Sequence, residues 1–188
     1  VLEPDWVHTR TLIDSVVSVI QDAADRKQQQ LVLKVDCPAD EYAWIDRLKM
    51  QEIFLNLLSN AVKYTPDGGR IELCTERLTA AGGVQQVRII VRDNGIGIRE
   101  AFQPRVFEAF AQERSQKLKN STGTGLGLSI AKRIVDLMDG RITLVSQEGV
   151  GSTFTVELSI RFERREAEEA GEQVNDASAR HTPSRRGR

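Results

Sequence analysis

Gly123-Thr124-Gly125-Leu126-Gly127-Leu128-Ser129 runs without a break into Ile130-Ala131-Lys132-Arg133-Ile134-Val135-Asp136-Leu137-Met138. Three glycines alternate and stop. A helical pattern of apolar residues then begins at Leu128, Ile130, Ala131, Ile134, Val135, Leu137 and Met138. Glycine has no Cβ and reaches positive φ cheaply, so its backbone can press against a ligand. The first turn of a helix leaves N–H groups unpaired and carries the positive end of the helix dipole. A glycine loop feeding a helix start can therefore cradle a phosphate, and it serves equally well as a flexible turn before a core helix. The neighbouring segments decide between the two.

Downstream, Asp139-Gly140 stops the helix. Arg141–Ser146 and Gly151–Ile160 read as strands, the second with Phe154, Val156, Leu158 and Ile160 alternating with Thr155, Glu157 and Ser159. Upstream, Glu113–Thr122 is polar and basic and reads as a mobile loop, and Phe102–Gln112 as a short helix or two turns. Asp93–Ile98 is a glycine turn. Arg70–Arg77 and Val84–Arg92 form a hairpin through Ala81-Gly82-Gly83, with Val87, Ile89 and Val91 on one face and Arg88 and Arg92 on the other. Before them lies a helix over Arg47–Tyr64, capped by Asp46 and ended by Thr65-Pro66-Asp67-Gly68-Gly69, burying Leu48, Ile53, Phe54, Leu57, Leu58, Ala61 and Val62. Leu31–Val35 and Tyr42–Ile45 are short strands. Thr9–Lys27 is a first helix, capped by Thr9 or Thr11. Residues 1–8 read as a linker, 9–163 as one domain and 164–188 as a flexible charged tail with almost no large apolar residue. Mostly antiparallel strands with helices free to cover one face make an α+β two-layer sandwich.

With 188 residues, 40% of them hydrophobic and 28% charged, the chain has enough for one core and an ordinary soluble surface. The net charge of −1 supplies no basic field for nucleic acid. Cys37 and Cys74 stand far apart, with no cysteine or histidine at metal spacing, as in a reducing compartment. No apolar run approaches the ~20 residues of a membrane span, so no membrane contact by this stretch is expected. With the cysteines of a reducing compartment, the expected location is cytoplasmic, as part of a parent protein that can itself be membrane-anchored. Opening on Val1 hints at a piece of a longer protein.

Three further constellations carry chemistry. On the helix over Arg47–Tyr64, Asn56, Asn60 and Lys63 share one face, opposite Leu57, Leu58 and Ala61. Asparagine prefers caps and turns, so two of them in mid-helix call for a reason. An amide oxygen is a hard ligand suited to Mg²⁺ and a lysine meets phosphate as a point charge, while a solvated polar face explains the same pattern. In Asp93-Asn94-Gly95-Ile96-Gly97-Ile98, an acid at a strand end can point into a pocket and accept from an adenine amine, or it can simply cap a β-turn. Phe107 and Phe110 serve either as core anchors or as a hinge for a lid.

Taken together, N-x-x-x-N, D-x-G-x-G, F-x-x-F and G-x-G-x-G-L stand in order. The chain from about Thr9 to Phe162 thereby resembles the ATP-binding catalytic domain of bacterial sensor histidine kinases, of the GHKL ATPase superfamily. The resemblance implies a Bergerat-type sandwich with ATP held between helices and a lid. It implies Asn60 as the Mg²⁺ ligand helped by Asn56, and Lys63 and Tyr64 as contacts to phosphate and nucleotide. Asp93 would hold the adenine amine, with Gly95 and Gly97 shaping the pocket floor. Phe107 and Phe110 would anchor a lid over Glu113–Thr122, and Gly123, Thr124, Gly125, Leu126, Gly127 and Leu128 would wrap the phosphates. Hydrolytic cousins carry a glutamate four residues before the metal asparagine. Here that position is Asn56, and an amide cannot act as a base. The resemblance therefore implies a kinase with slow hydrolysis, whose acceptor histidine sits on a separate helical hairpin, with a receiver domain downstream. A nucleotide-binding scaffold, or an anti-sigma-type serine kinase, shares the same fold. His8, in the linker, and His181, in the tail, read as solvated bystanders rather than acceptors.

Overall fold

A computed structural model describes residues 1–111 and 125–165, apart from the side chains of residues 79–81. The elements run β1 (Asp5–His8), α1 (Thr9–Arg26), β2 (Gln30–Lys34), β3 (Glu41–Ile45), α2 (Arg47–Tyr64), β4 (Arg70–Ala81), β5 (Val84–Asp93), a single 3₁₀ turn (Gln103–Arg105), α3 (Gly127–Leu137), β6 (Arg141–Gln147) and β7 (Gly151–Arg164). The strands form one sheet in the order β1-β3-β7-β5-β4-β2, with β6 added along β7. Among the described strands only β2 and β4 run parallel. β7 is long enough to hold β6 and β3 end to end on one edge, at Gly151–Glu157 and Arg161–Arg164, and β5 on the other. The β4–β5 hairpin turns on Gly82 and Gly83, with φ of 60° and 81°, the pair of positive values that lets a two-residue loop follow the strand twist.

Alternation on the strands sends Ile71, Leu73, Val87, Ile89, Val91, Phe154, Val156, Leu158 and Ile160 into one core shared by all three helices. The α+β sandwich with its helices on one face is thus the observed architecture. The opposite face is polar. There Glu72, itself buried, takes Lys34 at 3.0 Å and Arg70 at 3.3 Å. Hydrogen bonds from Lys34, the Cys74 thiol and Arg70 hold its carboxyl down at about 2.

α2 covers the expected residues and is capped by Asp46, whose side chain accepts from the Lys49 N–H. Its buried stripe is Met50, Ile53, Phe54, Leu57, Leu58, Ala61 and Val62, each large member contributing about 1.5–3 kcal/mol. Leu48, expected in that stripe, is 72% exposed, because the i, i+3, i+4 rows running back from Leu57 pass through Met50 instead. Residues 5–8, expected as linker, are a strand paired with β3. The cap of α1 is neither Thr9 nor Thr11. His8 takes that place, its side chain accepting from the Thr11 N–H. The Ala39 carbonyl, 2.7 Å from His8 Nε2, can only accept, so Nε2 carries the proton and Nδ1 is the acceptor. His8 is therefore fully engaged in a structural role. The stretch Phe102–Gln112 makes only the 3₁₀ turn among its described residues.

Both α1 and α3 end in Schellman motifs whose left-handed residue is not glycine. Gln28 has φ 53°, with Gln28 N–H bonded to Asp25 O and Gln29 N–H to Ala24 O. Asp139 has φ 52°, with matching bonds from Asp139 to Asp136 and from Gly140 to Val135. The expected stop at Asp139-Gly140 holds, but Asp139 makes the turn. Gly140 is needed because a Cβ would strike Leu158 and the Glu157 carbonyl. Gln28 is exposed, so little packing offsets its strained conformation. Gln28→Gly is therefore expected to stabilise the protein by about 0.5–1 kcal/mol, raising Tm by a few degrees in thermal melts.

Candidate functional site

The polar face of α2 supplies the first wall. Asn56, Asn60, Lys63 and Tyr64 are half-buried, while Leu57, Leu58 and Ala61 behind them are buried. Lys63 Nζ rests 4.9 Å from the centre of the Tyr64 ring. α2 packs against α3, and the first residue of α3 meets the first asparagine: a Cβ on Gly127 would stand 3.0 Å from Asn56 Oδ1. The absence of a side chain at Gly127 is what lets the helix start approach the amide. Leu126, the N-cap of α3, offers no side-chain hydrogen bond, so the early N–H groups keep their capacity to bind an anion. Gly127 and Leu128 belong to the helix itself, while Gly125 has φ 70° and shapes the approach.

Asp93 ends β5 opposite Ser152 of β7. Its Oδ1 accepts from Gly95 N–H at 2.9 Å, and the neighbouring Ser152 backbone also favours the charged form. Burial nevertheless wins and pushes the Asp93 carboxyl above the usual value. Gly95 sits against α2, where a Cβ would come within 2.5 Å of the Tyr64 carbonyl, and Ile96 N–H donates to that same carbonyl at 3.1 Å. The end of the asparagine helix and the Asp93 loop are thus joined directly.

The other side of the Asp93 loop docks on the β6–β7 turn. Gly149 N–H donates to Ile96 O at 2.7 Å, and Ile98 N–H to Ser146 Oγ at 2.9 Å. Gln103 Nε2 ties Ile98 O and Ser146 O together at 2.9 and 3.0 Å. Gly97, with φ 68°, and Gly151 have no room for a Cβ, which would run into the Gln147 and Asp93 carbonyls respectively. Gly149 and Gly151 read in sequence only as a structural turn before the last strand, and Ser146 and Gln103 were not singled out. The Glu148–Phe154 stretch shows only a hairpin glycine turn, and nothing in its spacing indicates the loop that lands on it.

Phe107 and Phe110 part company. Phe107 stacks edge-on with Phe154, 6.2 Å between ring centres, and joins the core. Phe110 is 72% exposed at φ 63°, and its N–H donates to Gly125 O at 3.0 Å. The chain leading into residue 111 and the chain resuming at Gly125 are therefore pinned together. Gly123, Thr124 and the expected lid Glu113–Thr122 lie outside the described residues.

Among the described residues no group of three His, Cys, Asp or Glu side chains could hold a metal. The donors on the α2 face are instead two neutral amide oxygens. Such a set fits Mg²⁺, which takes few protein ligands and fills its octahedron with water and phosphate oxygens. No helix among the described residues is long and apolar enough to cross a membrane.

Residues 45–161 match the family described as histidine kinase-, DNA gyrase B-, and HSP90-like ATPase. The virulence sensor protein BvgS of Bordetella bronchiseptica is 35% identical over 185 residues, which is 98% of this chain and 14% of that protein. The chain thus spans about one-seventh of that relative. Full-length ShkA, solved in complex with AMPPNP, superposes with a TM-score of 0.70 at 28% identity, over 88% of this chain and 33% of ShkA. The catalytic domain of histidine kinase ThkA superposes at 0.68 with 25% identity, over 84% of this chain and 95% of that domain.

Proposed function

We propose, from the premise that this chain belongs to the histidine kinase-, DNA gyrase B- and HSP90-like ATPase family, that it is the ATP-binding catalytic part of a two-component sensor histidine kinase. It passes the γ-phosphate of ATP to a histidine on a helical hairpin elsewhere in the parent protein. The observation that carries the reading is the meeting of Asn56 with the uncapped start of α3 at Gly127. A hard amide face and a set of free helix amides converge there, and an amide stands where a hydrolase needs a base. Phosphoryl transfer asks mainly for positioning and charge neutralisation.

In this reading Asp93 accepts from the adenine amine on a floor shaped by Gly95 and Gly97. Asn60, with Asn56, holds Mg²⁺, which when bound supplies charge neutralisation on the phosphates. Lys63 leaves the Tyr64 ring to meet a phosphate, and Tyr64 contacts the nucleotide. Gly125, Leu126, Gly127 and Leu128, with Gly123 and Thr124, wrap the phosphates at the helix start. Phe107 is the half-buried and Phe110 the exposed aromatic of the lid anchor. The named sensor kinases among the relatives support the reading, as does the AMPPNP bound to ShkA. It places the chain in the cytoplasm, where ATP is, and makes a response-regulator receiver domain the eventual destination of the phosphate.

The test is incubation of this chain with γ-labelled ATP and a separately made phosphoacceptor hairpin. Acid-labile, base-stable label on the hairpin is expected, lost by at least about 100-fold in Asn60→Ala, with slow ATP hydrolysis when the hairpin is omitted. Acid-stable label would turn the reading towards a serine kinase. Brisk hydrolysis by the chain alone would overturn it.

A further inference from the structure

The last carbonyls of α2 have no partner within the helix, and the structure accounts for each of them. Ala61 O takes the Thr65 N–H at 3.0 Å, and Tyr64 O takes Ile96 N–H from the Asp93 loop at 3.1 Å. Val62 O and Lys63 O are taken from 35 and 36 residues upstream by one side chain, Lys27, whose Nζ stands 2.7 and 3.3 Å from them. The same ammonium reaches Thr65 O at 2.5 Å, so its three protons have three acceptors. Gln29 Nε2 braces the arrangement from beside it, 3.0 Å from Val62 O and 2.6 Å from Thr65 O. Lys27 is itself fixed. It is the C-cap of α1, and its carbonyl accepts from Gly68 N–H at 2.9 Å. A positive charge at the negative end of a helix dipole is also electrostatically favoured there.

We propose that Lys27 is a positioning residue for nucleotide binding. Its ammonium fixes the last turn of α2, and so the place of Lys63, of Tyr64 and, through the Tyr64 carbonyl, of the Asp93–Gly97 loop. This rests on the functional reading above. Lys27 touches no side chain among the proposed nucleotide contacts; it acts through the backbone that carries them, the Lys63 carbonyl included. Its surroundings, three carbonyls set close together, suit a small cation rather than a bulky one.

Lys27→Met removes the charge and keeps the apolar stem. It is expected to weaken ATP binding about tenfold, through loss of charge-assisted hydrogen bonds, while phosphotransfer at saturating ATP stays within about threefold of the parent. Amide exchange at Ile96 is expected to quicken while the β5 and β7 amides stay protected. Ethylammonium is expected to restore much of the ATP affinity of Lys27→Ala, and tetramethylammonium at equal ionic strength is not, because it has no N–H to donate. Lys27→Gln serves with the same readouts should Lys27→Met fail to fold. Unchanged ATP affinity together with unchanged Ile96 exchange would overturn the proposal, as would loss of affinity only in step with unfolding of the whole sheet. Failure of the parent chain to bind ATP would instead strike the functional reading, and the exchange at Ile96 would still decide the role of Lys27.

Discussion

Asp93→Asn is expected to lower ATP affinity by at least about 100-fold, on the order of 3 kcal/mol, while leaving the empty protein as stable as before or more so. The two halves of this outcome have separate causes. The amide oxygen of the substituted side chain can still accept from Gly95 N–H, as Asp93 Oδ1 does at 2.9 Å. The new amide nitrogen would then face the adenine amine with a second donor where the proposed contact needs an acceptor. The stability half follows from burial, which raises the Asp93 carboxyl above its ordinary value in spite of the Gly95 N–H. A carboxyl raised on folding binds protons more tightly in the folded state. It therefore disfavours folding above its folded-state value, and this cost is relieved as pH falls through that value. A neutral amide removes the cost at neutral pH. Asp93→Ala serves as the contrast: it loses the same affinity and also strands the Gly95 N–H, so its melting temperature should fall. Titration calorimetry and thermal melts of the two variants separate the cases. Binding by Asp93→Asn within about threefold of the parent would remove Asp93 from the adenine contact.

The parts of this molecule that could be read in its sequence are those whose signal is local. α2 was legible to the residue because Asp46, a seven-residue apolar stripe and Thr65-Pro66 each mark it independently. β5 and β7 were legible because Val87, Ile89 and Val91 in the one, and Phe154, Val156, Leu158 and Ile160 in the other, stand at strictly alternate positions. What escaped depends on pairing between distant segments. Residues 5–8 carry no strand pattern long enough to notice, and only the register Trp6↔Trp44 on β3 makes them a strand. His8 looks like any surface histidine until Ala39 O comes within 2.7 Å of it. Phe107 and Phe110 are equivalent in spacing and opposite in fate, since Phe154, far along the chain on β7, meets only the first. The candidate site divides in the same way. Its asparagines, acid and glycines stand out as residue types, whereas Lys27, Gln29, Ser146 and Gln103 are ordinary residues that act through backbone groups far from them in sequence.

The glycines near the site look alike in sequence, and the structure predicts that they will not behave alike on substitution. Gly97 and Gly149 both have positive φ, at 68° and 79°. An alanine at either must adopt the left-handed region, costing about 1–2 kcal/mol. At Gly149 that is the whole effect, because nothing lies within 4 Å of where the Cβ would stand. At Gly97 the Cβ would overlap the Gln147 carbonyl and crowd Glu148 Cα. Neither can retreat cheaply. Gln147 is paired with Gly151 across β6 and β7, and the Gly149 N–H holds the Ile96 carbonyl at 2.7 Å. Relief requires the Asp93 loop to lift off the β6–β7 turn, which would break that bond, the Ile98–Ser146 bond and the Gln103 bridge together. Gly149→Ala is accordingly expected to lower Tm by roughly 2–8 °C with ATP affinity within about threefold of the parent. Gly97→Ala is expected to cost at least about 3 kcal/mol, lowering Tm by roughly 6–12 °C, and to abolish measurable ATP binding even where the sheet remains folded. Equal losses in the two variants would mean that backbone conformation alone, and not the seating of the Asp93 loop on the β6–β7 turn, makes these positions glycine.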